Sequence, residues 1–210
     1  MLNLLFPRCC LQCGKEGSWA CAACRSQVFF RGQVSVEHGL APLISLFSFE
    51  PGLVRELLHN LKYNGIYEAA GTLGALVTEK TEGNWLQELL SPAVLVPVPL
   101  SSARRKNRGY NQTEKLALVF GSWLGIPVWT EALCRTNRKS QVGQGAVARQ
   151  IQTATSFAWA GRAIPPEYAD RPWMVVDDVC TTGSTLAACA AQLRPHSQFP
   201  IGGLVVARKE

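Results

Sequence analysis

Long apolar runs and several common enzyme motifs are absent from the sequence. No stretch approaches the ~18 apolar residues of a membrane span, and the apolar part of the first ten residues is too short for a signal peptide. No G-x-x-x-x-G-K-[ST] segment occurs, which argues against a P-loop ATPase. The three histidines form no cluster, so we expect each to be structural. These absences predict a soluble, cytoplasmic protein without a P-loop.

Positive charge is concentrated in one quarter of the chain. The 210 residues are 47% apolar, which is enough for one sizeable packed domain and a small appendage, and they carry a net charge of +6. Residues 101–150 contain nine Lys or Arg and two Glu, so the whole positive excess lies there. A localised basic region indicates an anionic partner, namely phosphate, pyrophosphate or nucleic acid. A solvated basic surface remains the alternative.

Apolar periodicity predicts an alternation of strands and helices. Strands are expected over 43–49, 93–97, 125–129, 173–176 and 201–207, and helices over 53–62, 69–81, 113–124 and 184–194. The strand that begins at residue 93 must end at the prolines of "PVP", because proline cannot donate to a sheet ladder. Strands that alternate with helices favour an α/β fold with a mostly parallel sheet.

Two C-x-x-C pairs lie close together near the N-terminus. Cys10 and Cys13 are followed, after seven residues, by Cys21 and Cys24. Four thiolates in this pattern indicate a tetrahedral zinc site, which would be structural because no position stays open for substrate. A redox or disulfide pair is the competing interpretation, and Cys9 could replace Cys10 as a ligand. We therefore predict a four-cysteine zinc-finger module over residues 1–35 and a second domain over 36–210.

The stretch "MVVDDVCTTGST", residues 174–185, places two carboxylates at the end of an apolar strand and follows them with hydroxyl groups and a glycine. Ligands bind at the carboxyl ends of strands in α/β sheets. A turn that opens a helix offers backbone N–H groups to a phosphate. Asp177 and Asp178 would repel that phosphate, so they require a hydroxylated or cationic group beside it. A ribose 5-phosphate fits, with its hydroxyls on the aspartates and its phosphate on Thr181, Thr182, Gly183, Ser184 and Thr185. A simple capped helix explains the turn but not the double aspartate.

These residues match a known family. "VVDDVCTTGST" resembles the phosphoribosyl pyrophosphate (PRPP) signature of type I phosphoribosyltransferases. Residues 95–117, "LVPVPLSSARRKNRGYNQTEKLA", together with the upstream "LK" and "YNG" and the cysteine pairs, resemble the ComF/GntX family. These are competence-associated proteins with a zinc finger followed by a phosphoribosyltransferase-like domain. The matching segments span most of the chain and occur in the same order as in the family.

The resemblance implies roles for further residues. A pyrophosphate loop would comprise Val98, Pro99, Leu100, Ser101 and Ser102, with Arg104, Arg105 and Arg108 beside it. The basic stretch 135–144 would be a flexible loop that closes over PRPP, and its candidate cations are Arg135, Arg138 and Lys139. Mg²⁺ would accompany the pyrophosphate. Cys180 stands where the family more often has an aliphatic residue. A helix N-terminus could lower its pKa, although simple packing is the favoured interpretation.

Two functional classes follow from the resemblance. The first is a phosphoribosyltransferase that displaces pyrophosphate at ribose C1 through an oxocarbenium-like transition state, for which no acceptor can be read from the sequence. The second is a non-catalytic adaptor for natural transformation. Such an adaptor would bind single-stranded DNA or competence partners such as helicase or recombination proteins.

Overall fold

The computed structural model describes residues 7–136 and 156–209. Its strands are β1 Phe30–Glu37, β2 Leu40–Ser48, β3 Val94–Pro97, β4 Leu133–Arg135, β5 Phe157–Trp159, β6 Trp173–Cys180 and β7 Gly202–Arg208. Its α-helices are α1 Ala22–Ser26, α2 Leu53–Tyr63, α3 Glu68–Lys80, α4 Trp85–Leu90, α5 Ser102–Arg108, α6 Gln112–Leu124, α7 Pro166–Ala169 and α8 Ser184–Leu193, and a 3₁₀ turn covers Arg194–His196. Within these ranges no helix has both the length and the apolar content that a bilayer crossing requires.

A five-stranded sheet in the order β1-β2-β7-β6-β3 forms the centre of the molecule. The pairs β2–β7, β7–β6 and β6–β3 are parallel, whereas β1 pairs antiparallel with β2 at the edge of the sheet. Strands β4 and β5 form a separate antiparallel pair. The predicted α/β fold with a mostly parallel sheet is confirmed.

Both faces of the sheet are covered, which explains the continuous apolar runs of its strands. Leu95 and Met174 belong to the core that α2, α3 and α6 cover. Val96 and Val175 point to the opposite face and pack with α8 and the β4–β5 pair. The helices that follow β3 and β6 thus lie on opposite faces, so a switch point lies between these two neighbouring strands. Ligands of open α/β sheets bind at such points.

Three expectations about the strands need adjustment. The predicted strand over 125–129 is wrong, because only a single bridge joins Leu95 to Val128. Gly125 ends α6 with φ +70°, and Pro127 has no N–H to donate to a ladder. Strand β6 extends past residue 176 to Cys180, because its last residues still pair with β7. Strand β1 is not among the strands that apolar periodicity predicts.

The four-cysteine region and the sheet share one hydrophobic core. Cys10 and Cys24 are buried in the same cluster as Phe47 of β2. The ring of Phe30 packs edge-on against that of Phe47, with ring centroids 5.6 Å apart. Strand β1 crosses residue 35, where the domain boundary is predicted, and the boundary itself stays a prediction.

Candidate functional site

A cleft of about 690 Å³ opens at the carboxyl ends of β3 and β6, at the switch point between these strands. It is lined from four directions: the end of α2, the loop after β3 with α5, the end of β4, and the end of β6. The lining residues are Lys62, Tyr63, Gly65, Val98, Pro99, Leu100, Arg104, Asn107, Arg108, Gln112, Arg135, Asp177, Asp178, Val179 and Thr185. Predicted site residues that are far apart in the sequence therefore share one cavity.

The loop after β3 is held at Val98. Its N–H donates to the carbonyl of Val176 at 3.0 Å, which extends the β3–β6 pairing by one residue. Its carbonyl accepts from Asn111 Nδ2 at 3.0 Å and from Thr113 Oγ1 at 2.6 Å. The Asn111 side chain also caps α6 by accepting from the N–H of Thr113. The "NQT" segment thus fixes the predicted pyrophosphate loop through buried hydrogen bonds.

The predicted basic residues separate into two groups. Arg104 and Arg108 line the cleft, and the guanidinium of Arg108 lies 5.7 Å from the ring centroid of Tyr63. Arg105 is not among the lining residues and forms an ion pair with Glu114 at 3.5 Å. Ser101 and Ser102 begin α5, as its N-cap and first residue, and do not line the cleft.

The two aspartates lie on a stretch of β6 that is paired on one side only. Strand β3 ends opposite Val176, whereas Asp177 and the residues after it still pair with β7. Both aspartates are buried, and both line the cleft. Asp177 Oδ1 accepts from the N–H of Asp178 at 2.9 Å, and Asp178 Oδ1 accepts from the N–H of Val179 at 2.8 Å. The early end of β3 therefore opens this acidic pair to the cleft.

Charge compensation in the acidic pair is incomplete. Asp178 Oδ2 lies 2.7 Å from the ammonium of Lys62, which reaches the cleft from the end of α2. Burial, and then the neighbouring charge of Asp178, raise the pKa of Asp177 well above its usual range, although Lys62 partly opposes them. Across the cleft, burial and the charge of Arg104 lower the pKa of the Arg135 guanidinium. A single ammonium, that of Lys62, thus faces two carboxylates. The site therefore suits a ligand that brings positive charge or hydroxyl donors.

The hydroxyl-rich turn adjoins the cleft. A small cavity of about 20 Å³ is formed by the turn, and Asp177, Val179 and Thr185 line both this cavity and the cleft. Gly183 has φ +68° and is the N-cap of α8, so the turn requires glycine at this position. The hydroxyls of Thr182 and Ser184 are hydrogen-bonded at 3.0 Å. The remaining predicted members, Thr181 and Thr185, also line the small cavity.

Six cleft residues were missed as individual site residues: Lys62, Tyr63, Gly65, Asn107, Gln112 and Val179. The "LK" and "YNG" segments that contain the first three are part of the family resemblance, so a signal for them existed. Tyr110, buried beside Tyr67, donates its hydroxyl to the carbonyl of Leu61 and ties the end of α2 to the start of α6. Of the three flexible-loop candidates, Arg135 lines the cleft, while Arg138 and Lys139 lie outside the described residues.

The four predicted cysteines form one cluster. The Sγ atoms of Cys10, Cys13, Cys21 and Cys24 all lie within 4.8 Å of one another. Cys9 is outside this cluster, and its thiol donates to the carbonyl of Pro7 at 3.6 Å. All eight cysteines are free thiols, so no disulfide joins the pairs. The cluster could bind a structural metal such as zinc, and its geometry favours Cys10 over Cys9 as the ligand.

Thiol acidity also fits a metal site. Burial opposes ionisation of Cys10, but hydrogen bonds from the backbone of Cys21, Cys13 and Gln12 outweigh it and lower its pKa to about 6. Burial and the neighbouring thiols raise the pKa of Cys24. Four sulfur atoms this close cannot all ionise without a cation, and a divalent metal removes that conflict. Elsewhere, burial raises the pKa of Cys180, so that thiol is packed rather than activated.

Several known proteins are similar to this chain over most of its length. No protein-family model matches it. The chain is 29% identical over 198 residues to Competence protein F of Haemophilus influenzae, a match that covers 90% of this chain and 79% of the relative. It is 31% identical over 153 residues to DNA utilization protein YhgH of Escherichia coli, and 30% identical over 153 residues to the YhgH protein of Salmonella typhimurium. Each of these two matches covers 72% of this chain and 65% of the relative, slightly under two thirds of its length.

Proposed function

The chain belongs to the ComF family, and on that premise we propose that it binds Mg·PRPP or a related ribose 5-phosphate compound in a competence or DNA-utilization role. The names of its relatives in Haemophilus influenzae and Escherichia coli support the cellular role. The observation that carries the ligand proposal is the shared cleft. Its walls bring together the acidic pair, the loop after β3 and the hydroxyl-rich turn.

Each wall would bind one part of the ligand. The turn at 181–185 would bind the 5-phosphate through backbone N–H groups and hydroxyls at the start of α8. Asp177 and Asp178 would accept hydrogen bonds from the ribose hydroxyls. The loop that Val98 anchors would hold the pyrophosphate, and the guanidinium groups of Arg104 and Arg108 would balance its charge.

The acidic pair fits a ligand that arrives with Mg²⁺. Asp177 retains a proton more readily than an ordinary aspartate because burial and then the charge of Asp178 raise its pKa, and Lys62 opposes them only in part. Mg²⁺ prefers oxygen ligands and is usually bound through phosphates and one or two carboxylates. When bound, it would supply positive charge to the pyrophosphate. The chain's own residues would orient the ribose and exclude water from it.

For the cysteine cluster we propose zinc as the resident ion. Four sulfur ligands leave no open coordination position, so the ion would be structural. Because Cys10 and Cys24 belong to the main hydrophobic core, zinc binding would stabilise the sheet as well as the cysteine region.

Transfer of the phosphoribosyl group is the enzymatic form of this proposal. Pyrophosphate would leave ribose C1 as an acceptor attacks, and the cleft cations Arg104, Arg108 and Arg135 would stabilise the leaving charge. Release of pyrophosphate from Mg·PRPP, measured against a panel of nucleobases and ammonia, tests for this activity. Turnover with one acceptor would identify an enzyme, whereas tight binding without turnover would favour an adaptor.

A second candidate function is binding of single-stranded DNA. Helix α5 carries Arg104, Arg105, Lys106 and Arg108 within seven residues and has no acidic residue of its own. Arg105 and Lys106 are exposed and do not line the cleft, and the ion pair of Arg105 with Glu114 is itself on the surface, so both cations can reach an extended polyanion. A salt-dependent affinity for single strands, measured with α5 variants, separates this function from pyrophosphate binding.

A further inference from the structure

The turn between β1 and β2 contacts the hydroxyl-rich turn that follows β6. Glu37 pairs with Leu40, which leaves His38 and Gly39 as a two-residue hairpin loop. Their φ angles are +54° and +72°, as a type I′ turn requires. Such turns favour Asn-Gly, and among the described residues His38 is the one non-glycine residue with positive φ. The chain therefore has a bulky ring where asparagine would suit the backbone better.

The ring of His38 lies against Gly183. A Cβ atom at Gly183 would fall 2.3 Å from Cδ2, 2.6 Å from Cγ and 2.7 Å from Nε2 of that imidazole. The ring therefore covers the α-carbon of the residue that begins α8. An asparagine side chain at position 38 would keep atoms at the positions of Cγ and Cδ2, and with them much of this contact, whereas glycine, which also suits a type I′ turn, would remove it. Glycine at position 183 is thus required both by its φ of +68° and by the histidine beside it.

The imidazole is held from behind by an ion-pair cluster. Its Nε2 lies 3.2 Å from Oε2 of Glu37. Glu37 in turn accepts two hydrogen bonds from the guanidinium of Arg208, at the end of β7, and one from the hydroxyl of Ser35. The hairpin is also tied down on its far side, since Arg194 Nη2 donates to the carbonyl of Gly39 at 2.8 Å. The ring thus has little freedom to move away from Gly183.

We propose that His38 is a positioning residue for the phosphate-binding turn: its braced imidazole packs on Gly183 and holds residues 181–184 in the conformation that binds the 5-phosphate. This inference rests on the proposed ribose 5-phosphate site and adds a residue from a hairpin that lines neither cavity. The strained turn at His38 accompanies a contact that glycine, which suits this turn better, cannot make.

Two substitutions distinguish a positioning role of His38 from a contribution to folding alone. One removes the contact with Gly183 without lowering the stability of the protein, and the other keeps the contact without raising it. His38→Gly relaxes the type I′ turn and removes the whole side chain, so its melting temperature should equal or exceed that of the wild type. Its affinity for ribose 5-phosphate should fall about 10-fold, the lower end of the effect of residues that orient a ligand-binding group. His38→Phe keeps a ring over Gly183 and keeps the strain. We expect it to be no more stable than the wild type but to bind ribose 5-phosphate within about twofold of it.

Amide hydrogen exchange gives a readout that needs no ligand. The N–H of Ala187 donates to the carbonyl of Gly183 at 2.9 Å, so its protection reports opening of this turn. We expect faster exchange at Ala187 in His38→Gly than in His38→Phe. His196→Asn is the matched control, because His196 lies beyond the C-terminal end of α8, and it should change neither exchange at Ala187 nor ribose 5-phosphate affinity.

The outcomes distinguish this inference from the proposed function. If the wild type binds ribose 5-phosphate and His38→Gly binds it equally well with unchanged exchange at Ala187, His38 is not a positioning residue. An affinity that rises and falls with melting temperature across the variants would also overturn the proposal. If the wild type binds no ribose 5-phosphate, the proposed function fails, and the exchange rates at Ala187 still decide whether His38 holds the turn.

Discussion

The ammonium of Lys62 and Oδ2 of Asp178 form an ion pair of 2.7 Å that joins α2 to β6 at the base of the cleft. The Asp178 side chain is only 6% exposed and that of Lys62 is 23% exposed. A carboxylate this buried requires a cation, and removal of one partner of a buried pair is strongly destabilising. The pair therefore links the stability of the fold to the chemistry of the site.

Replacement of this cation gives the first prediction. Lys62→Met keeps the length of the side chain but leaves Asp178 buried and uncompensated, so we expect a loss of about 2–3 kcal/mol in the free energy of unfolding, slightly below the usual effect because Lys62 is partly exposed. Urea denaturation measures the loss. The double variant Lys62→Met/Asp178→Asn removes the unpaired charge and should recover part of it, whereas a Lys62→Met protein as stable as the wild type would contradict this account.

The cysteine cluster gives the second prediction. Purified protein should contain about one zinc per chain. Cys13→Ser and Cys21→Ser should each lose the metal and lower the melting temperature, because structural zinc binding contributes to folding. Cys9→Ser is the matched control and should keep both metal and stability. Elemental analysis with thermal unfolding tests the set, and full zinc occupancy in the Cys13→Ser/Cys21→Ser double variant would exclude the site.

The cluster of Glu37, Arg208 and Ser35 beside His38 gives a prediction about the pH dependence of stability. Hydrogen bonds from Arg208 and then Ser35 lower the pKa of Glu37 from 4.5 to about 2. The folded state therefore holds the ionised form more firmly than the unfolded state does. This stabilisation is complete above the unfolded pKa and is lost as pH falls from about 4.5 through 2. Glu37→Gln should flatten the acid limb of stability in this window, whereas Glu88→Gln, an exposed change on α4, should leave it unchanged.

Helix α5 gives a prediction that separates the two anionic partners. If its outer face binds single-stranded DNA, Arg105→Gln should weaken that binding and flatten the log–log salt slope by about 0.7 per lost phosphate contact. The same substitution should leave Mg·PRPP affinity unchanged, because Arg105 does not line the cleft. Arg104→Gln should weaken both. DNA affinity that is equal at low and high salt would remove the polyanion interpretation of α5.

Local patterns in the sequence were sufficient to predict the parallel sheet and the cysteine cluster. Apolar runs mark β6 and β7, and the C-x-x-C spacing brings four thiols together wherever the loop between them can turn. The role of Lys62 was not predictable in this way, because it depends on how α2 packs beside β6. The same is true of His38, whose contact with Gly183 joins two turns that are distant in the sequence. Strand β1 escaped detection because it is an edge strand with Val34 and Val36 exposed rather than buried.

The two parts of the "DDVCTTGST" segment should respond differently to substitution. Asp177→Asn should weaken Mg·PRPP binding by about 10- to 150-fold, the range expected for a charge-assisted hydrogen bond of about 1.5–3 kcal/mol. The fold should stay intact, because Asp177 is already biased towards its protonated form. Thr182→Val should instead weaken Mg·PRPP and ribose 5-phosphate by a similar factor through loss of a phosphate donor. Gly183→Val is a poorer probe, because its side chain would collide with His38.

Calorimetric titration of the wild-type protein with Mg·PRPP and, separately, with ribose 5-phosphate tests the central claim most directly. The account predicts saturable binding of both ligands at one site per chain, with Mg·PRPP the tighter because it also reaches the loop at Val98. It further predicts that Thr182→Val weakens both ligands alike. If the wild type in the presence of Mg²⁺ binds neither ligand at millimolar concentration, the cleft is not a ribose phosphate site and the DNA-binding function of the second candidate takes precedence.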